Sequence, residues 1–108
     1  MIVVGLNREE FWYKILSCLK PGDRVKYWSV AGRVRGSYFI VKRVALEYIT
    51  VEAESTRAEQ TIPKRDFLAV YEKWEGYLKG HIKRYELRDI TRFSSYIIGI
   101  IHKCLEED

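Results

Sequence analysis

Two histidines, two cysteines and fifteen acidic residues are the groups in this 108-residue chain that could hold a metal or attack a substrate. Their spacing supports neither chemistry. His81 and His102, like Cys18 and Cys104, lie too far apart for the short ligand pairs that metal sites use. His81 follows a helix-ending glycine and His102 falls on the polar side of the last helix, so both read as surface histidines. Cys18 and Cys104 fall beside apolar helical positions and read as small buried hydrophobes, with a disulfide between the terminal helices as the alternative. Glu86 and Asp89 alternate with Arg84 and Arg88, and Glu72 and Glu75 flank Lys73, as on solvated helix faces. Gly32 and Gly36 bracket a loop but lack the strand-to-helix context of a phosphate cradle. The expectation is a non-enzymatic protein with no metal and no cofactor.

The bases carry more information. Lys and Arg number 19 against 15 Asp and Glu, a net charge of +4. Between Lys20 and Leu46 lie seven bases and a single acid, Asp23. Arg24, Lys26 and Lys42 fall on candidate strands, and Arg33 and Arg35 project from the glycine-bracketed loop. Tyr27, Trp28, Tyr38 and Tyr48 are interspersed among them. Cations neutralise phosphates and rings stack on bases, so this mixture suits DNA or RNA. A second basic cluster, between Lys79 and Arg92, sets five bases against Glu86 and Asp89.

The elements that must position these groups follow from periodicity. Asn7 and Glu10 form a capping-box pattern with Leu6 and Phe11 at the staple positions, and apolar residues then recur at Phe11, Trp12, Ile15, Leu16 and Leu19. A helix over 8–19 ends at Pro21-Gly22. Alternation then takes over. Strands are expected from Asp23 to Val30, from Ser37 to Val44 with a bulge at Lys42-Arg43, from Tyr48 to Ala53 and around Gln60 to Ile62. Beyond Pro63, Phe67, Val70, Tyr71, Trp74, Tyr77 and Leu78 mark a helix ending at Gly80. A shorter helix covers Arg84 to Ile90, and Ser94 caps a last one. Residues 1–108 thus read as one α+β domain: helix 8–19, a β-rich barrel or curled sheet over 23–62, and a helical tail over 64–106. No apolar run approaches the ~18 residues of a membrane helix, and no signal peptide is legible, which points to a cytoplasmic protein without a membrane partner. One Asn and one Gln beside abundant charge is a thermophile trait.

Pro21-Gly22-Asp23-Arg24-Val25, followed by Phe39, Val41, Val44, Ile49 and Val51, resembles a Src-homology-3-like small barrel over about residues 21–65. The tail, with Thr91-Arg92-Phe93-Ser94 before its last helix, resembles a helix-turn-helix whose turn lacks the usual glycine. The barrel resemblance implies a group that includes nucleic-acid binders, peptide binders and methyl-lysine readers, and it transfers no functional residue. The outward face of the last helix, Ser95, Gly99, His102, Lys103 and Glu106, offers too few donors to read base edges. The tail is therefore expected to be structural.

The functional expectation is a nucleic-acid-binding protein of weak sequence selectivity, contacting phosphates through Arg24, Lys26, Arg33, Arg35 and Lys42, with Tyr27, Trp28 and Tyr38 beside them. The alternative is a protein-interaction module, since fifteen aromatics are many for so small a core. Six apolar residues between Ile97 and Leu105 point further to self-association as a homo-oligomer.

Overall fold

A computed structural model describes residues 5–30 and 37–106. The first helix, α1 (Arg8–Cys18), starts where the capping pattern places it. Asn7 Oδ1 accepts from the Glu10 amide at 2.8 Å, and Glu10 Oε1 accepts from the Asn7 amide at 3.0 Å. Two of the helix's orphan donors are thereby satisfied. Its inward face buries Phe11, Trp12 and Ile15.

Four strands follow as an antiparallel meander in chain order: β1 (Arg24–Lys26), β2 (Tyr38–Val44), β3 (Tyr48–Ala53) and β4 (Glu59–Pro63). The sheet is open, because β1 and β4 are edges and do not pair with one another. Of the two expected forms, barrel or curled sheet, the barrel is therefore corrected to an open sheet. The first strand is also shorter than its alternation suggests. After the Tyr27 amide donates to Ser37 O, the Trp28 carbonyl accepts from Arg84 and the Val30 amide donates to the Tyr77 hydroxyl. Side chains from the helices thus take the backbone groups that would have extended the ladder. The bulge falls where the Lys42-Arg43 doublet places it: pairing slips between Val41 and Arg43, which brings Val44 opposite Ile49.

The helical half consists of α2 (Lys64–Glu72), α3 (Trp74–Leu78), α4 (Arg84–Ile90) and α5 (Ser94–Ile101), with a π-helical turn, His102–Glu106, continuing α5. The single helix expected to run to Gly80 is broken at Lys73, whose amide turns back to Val70 O. That break aims the Trp74 indole at Glu106 Oε2, 3.2 Å away. Two other aromatics tie the layers in the same way. Trp12 Nε1 donates to Leu46 O at 2.7 Å and the Tyr71 hydroxyl to Leu6 O at 2.9 Å. Each ring is buried or half-buried with its polar end partnered.

The expected tail is the centre of the molecule. Ile97, Ile98, Ile100 and Ile101 are fully buried, and Gly99 is buried with them. A helix with so broad an apolar face must be enclosed on most of its sides. Gly99 is what lets it approach the sheet: a Cβ there would stand 3.1 Å from Lys26 O and 3.3 Å from Phe39 Cε1. One expectation changes as a result: Gly99 faces β1 rather than solvent. The isoleucines from which self-association was expected are buried within one chain. Cys18 and Cys104, 86 residues apart with Cα atoms 5.8 Å apart, form a disulfide between the end of α1 and the π-helical turn. The reading of both as simple buried hydrophobes is therefore corrected.

Trp74→Ala should cost about 3–5 kcal/mol, as loss of a buried aromatic does, and it also strands Glu106 without its indole partner. Gly99→Val should destabilise by about 1–3 kcal/mol despite a better helix propensity, because the β1 backbone cannot yield to the new side chain. Thermal unfolding followed by circular dichroism measures both, and an unchanged midpoint for Gly99→Val would contradict the close approach.

Candidate nucleic-acid interface

Strand register decides which bases share a surface. Pairing of Arg24 with Ile40, Ile40 with Glu52, and Thr50 with Thr61 sets Arg24, Lys26, Lys42, Thr50, Glu52, Glu59 and Thr61 on the outer face of the sheet. The face is not uniformly basic. Arg24 makes a forked ion pair with Glu54, Nε to Oε2 at 2.7 Å and Nη2 to Oε1 at 3.0 Å, while its guanidinium lies 3.7 Å over the Tyr38 ring. The hydrogen bonds from Arg24 hold the Glu54 carboxyl below its ordinary pKa, and Glu54 in turn raises that of Arg24. Lys42 Nζ stands 3.9 Å from Glu52, which Arg57 also approaches at 3.6 Å. Lys42 belongs to a separate depression with Arg43, Tyr48, Thr50, Glu59 and Thr61. It does not join the other expected contacts.

Five of the expected residues do meet. Arg24, Lys26, Tyr27, Trp28 and Tyr38 line a groove of about 350 Å³ together with Val25, Gly99, His102 and Lys103. One wall is β1 and the segment after it; the other is the end of α5 and the π-helical turn. No carboxylate is among the described lining residues. Lys26 is exposed and Lys103 half-buried, and neither makes an ion pair with a described residue.

The aromatic residues build the groove rather than standing open within it. Trp28 stacks on His102, ring centroids 4.1 Å apart and planes 11° from parallel, and meets Trp74 at 6.1 Å and Tyr77 at 6.4 Å. Tyr27 packs against Phe39 at 5.0 Å and Tyr96 at 5.8 Å. Burial raises the Tyr27 pKa, reinforced by a hydrogen bond with Tyr96, so its hydroxyl stays neutral. Tyr27 and Trp28 thus use much of their ring surface within the chain, while Tyr38 lies on the outer face beneath Arg24. His102, read as a surface histidine, is half-buried in that stack.

Arg84 holds the segment beneath the groove. Its Nη1 donates to Trp28 O at 3.0 Å and to the Tyr77 hydroxyl at 3.2 Å, and Nη2 reaches Ser95 Oγ at 3.5 Å. The pattern of alternating charge places Arg84 on a solvated face, whereas it is half-buried and makes no ion pair with a described residue. Glu86, its neighbour in that pattern, instead accepts from the Lys83 amide at 2.8 Å. Lys103, His102 and Arg84 are the residues that sequence reasoning did not assign to the site. The available signal was weak: Lys103 is the one cation in the expected outward stripe of the last helix.

Arg33 and Arg35 lie outside the described residues. Among the described residues no group of three or more His, Cys, Asp and Glu could hold a metal ion, and no helix is long and apolar enough to cross a membrane. Comparison with protein-family models, curated proteins and solved structures finds no match to this chain.

Because the Glu54 pKa is lowered in the fold, the Arg24–Glu54 pair stabilises the protein above the unfolded-state pKa of Glu54. That contribution is lost as acid carries the pH down through the folded-state value. An NMR titration should place the Glu54 midpoint below the ordinary 4.5. In Arg24→Gln the midpoint should move back up toward that value, and an unmoved midpoint would contradict the pairing.

Proposed function

We propose that the protein is a non-enzymatic nucleic-acid binder of weak sequence selectivity that takes the phosphate backbone of DNA or RNA into the groove between β1 and the π-helical turn. The observation that carries this reading is the groove's lining, which brings Arg24, Lys26 and Lys103 together with no carboxylate among the described lining residues. Cations gathered in a cleft release counterions when a phosphate enters, a gain indifferent to base identity. Two features support weak selectivity. Helix α5 is enclosed, so it offers no face to a major groove, and Tyr27 and Trp28 already pack against other rings. Lys26 and Lys103 supply the charge that no described residue takes into an ion pair, while Arg24 shares its own with Glu54. A cytoplasmic setting accompanies the reading. A persistent disulfide there is a thermophile trait, in keeping with the scarcity of amides.

The protein-interaction alternative loses much of its support, because most of the aromatic surplus is packed inside. Among the described aromatics, Tyr13 and Tyr85 are the ones left exposed.

Fluorescence anisotropy with a short labelled single strand tests the proposal. Three phosphate contacts at 0.7–0.9 counterions each should give a log–log salt slope of about −2 to −3. Lys26→Glu with Lys103→Glu should reduce it to about −1 or less, and unfolding should change little because Lys26 is exposed and Lys103 only half-buried. Absence of binding up to about 100 μM at low salt would overturn the reading in favour of an interaction module.

A further inference from the structure

We propose that the Cys18–Cys104 disulfide is the latch of this groove, and that its reduction weakens phosphate binding there. The inference rests on the groove being a nucleic-acid site. Cys104 lies in the π-helical turn His102–Glu106, one residue after Lys103 and two after His102, both of which line the groove. The bond therefore joins the wall that carries Lys103 to the end of α1, an element that contributes nothing to the lining.

A π-helical turn is a rare form that persists where its surroundings hold it, and it recurs at functional sites. Beside the burial of Leu105 in the core, three specific contacts hold this one. The disulfide binds Cys104 to α1, the Trp74 indole donates to Glu106, and His102 stacks on Trp28. Of these, the disulfide alone is covalent, and it lies between the other two along the turn. Freed of it, the turn keeps a hydrogen bond at one end, a ring stack at the other and the packing of Leu105, while Lys103 and Cys104 lose their covalent anchor. Lys103 is then no longer held opposite Lys26.

The chemistry is thiol–disulfide exchange with a small dithiol. Cys18 is partly exposed and Cys104 buried, so a reductant thiolate attacks the Cys18 sulfur, forms a mixed disulfide and expels the Cys104 thiolate, which takes a proton. The second thiol of the reductant then attacks its own sulfur in the mixed disulfide and releases Cys18, which is protonated in turn. Two electrons and two protons pass to the protein, and the reductant leaves as its cyclic disulfide.

Hydrogen exchange and binding, each measured on the oxidised and the dithiothreitol-reduced protein, test the proposal together. On reduction, amides of 102–106 should exchange at least about tenfold faster while those of Ile49–Val51 in the central sheet stay protected. With the labelled strand, reduction should raise Kd several-fold and make the salt slope shallower by about 0.7–0.9, the share of one lysine. Lys103→Ala should produce the same slope change in the oxidised protein, and reduction of that variant should add nothing. Cys18→Ser, which leaves Cys104 as a small buried thiol, should reproduce the reduced state without reductant. Equal affinity and slope in both redox states would overturn the latch and leave the binding reading intact. Exchange that rises across sheet and turn alike would also overturn it, by making the bond a general staple. Failure of the oxidised protein to bind would remove the functional reading and the coupling with it.

Discussion

A helix of eight residues whose four isoleucines cover almost half its circumference, and whose glycine is buried on the opposite side, is stable only when enclosed, and the arrangement of this protein follows from covering α5. The sheet supplies one side, α2 and α4 others, and α1 reaches the continuation of the helix through the disulfide. The contact with β1 is the most demanding, since Gly99 brings the helix backbone to the carbonyl of Lys26. It also has a functional consequence. Drawing α5 onto the edge of the sheet carries the next turn, with His102 and Lys103, up beside β1. The groove is the space left where the helix ends and β1 leaves the sheet.

The same closeness shortens β1. Tyr27 and Trp28 insert their rings between the sheet and the helices, and beyond them Arg84 donates to the Trp28 carbonyl while the Tyr77 hydroxyl accepts from the Val30 amide. A strand that continued in register would have kept its alternation and displayed every second ring to solvent. Packing α5 against this edge favours the buried arrangement, because buried aromatic area is worth more than two further ladder hydrogen bonds. The groove's aromatic residues therefore act as masonry, and its free chemistry is that of the lysines.

Charge is redistributed by the fold in a comparable way. Along the chain, the stretch from Lys20 to Leu46 is almost purely basic, yet β3 and the turn after it bring Glu52 and Glu54 against Lys42 and Arg24. Antiparallel pairing thus spreads opposite charges over the outer face of the sheet. One place where positive charge meets no carboxylate among the described residues lies where pairing stops, at Lys26 on the end of β1. There the neighbouring element is a helix terminus carrying Lys103.

The amino-acid sequence by itself determined the local structure: the capping box at Asn7, the bulge at Lys42-Arg43, the switch from helix to alternation and back, and the apolar character of the last helix. Each depends on neighbours within a few residues, so local chemistry is enough to specify it. It also singled out Arg24, Lys26, Tyr27, Trp28 and Tyr38, because bases and rings within fifteen positions of one another are visible without a fold. Only the tertiary structure decided that the sheet stays open, that Arg24 and Lys42 are paired, that Cys18 joins Cys104 and that Lys103 completes the groove. Those outcomes link residues from 10 to 86 positions apart, and the interactions that bring them together, strand pairing and the burial of α5, are properties of the packed whole and of no single segment.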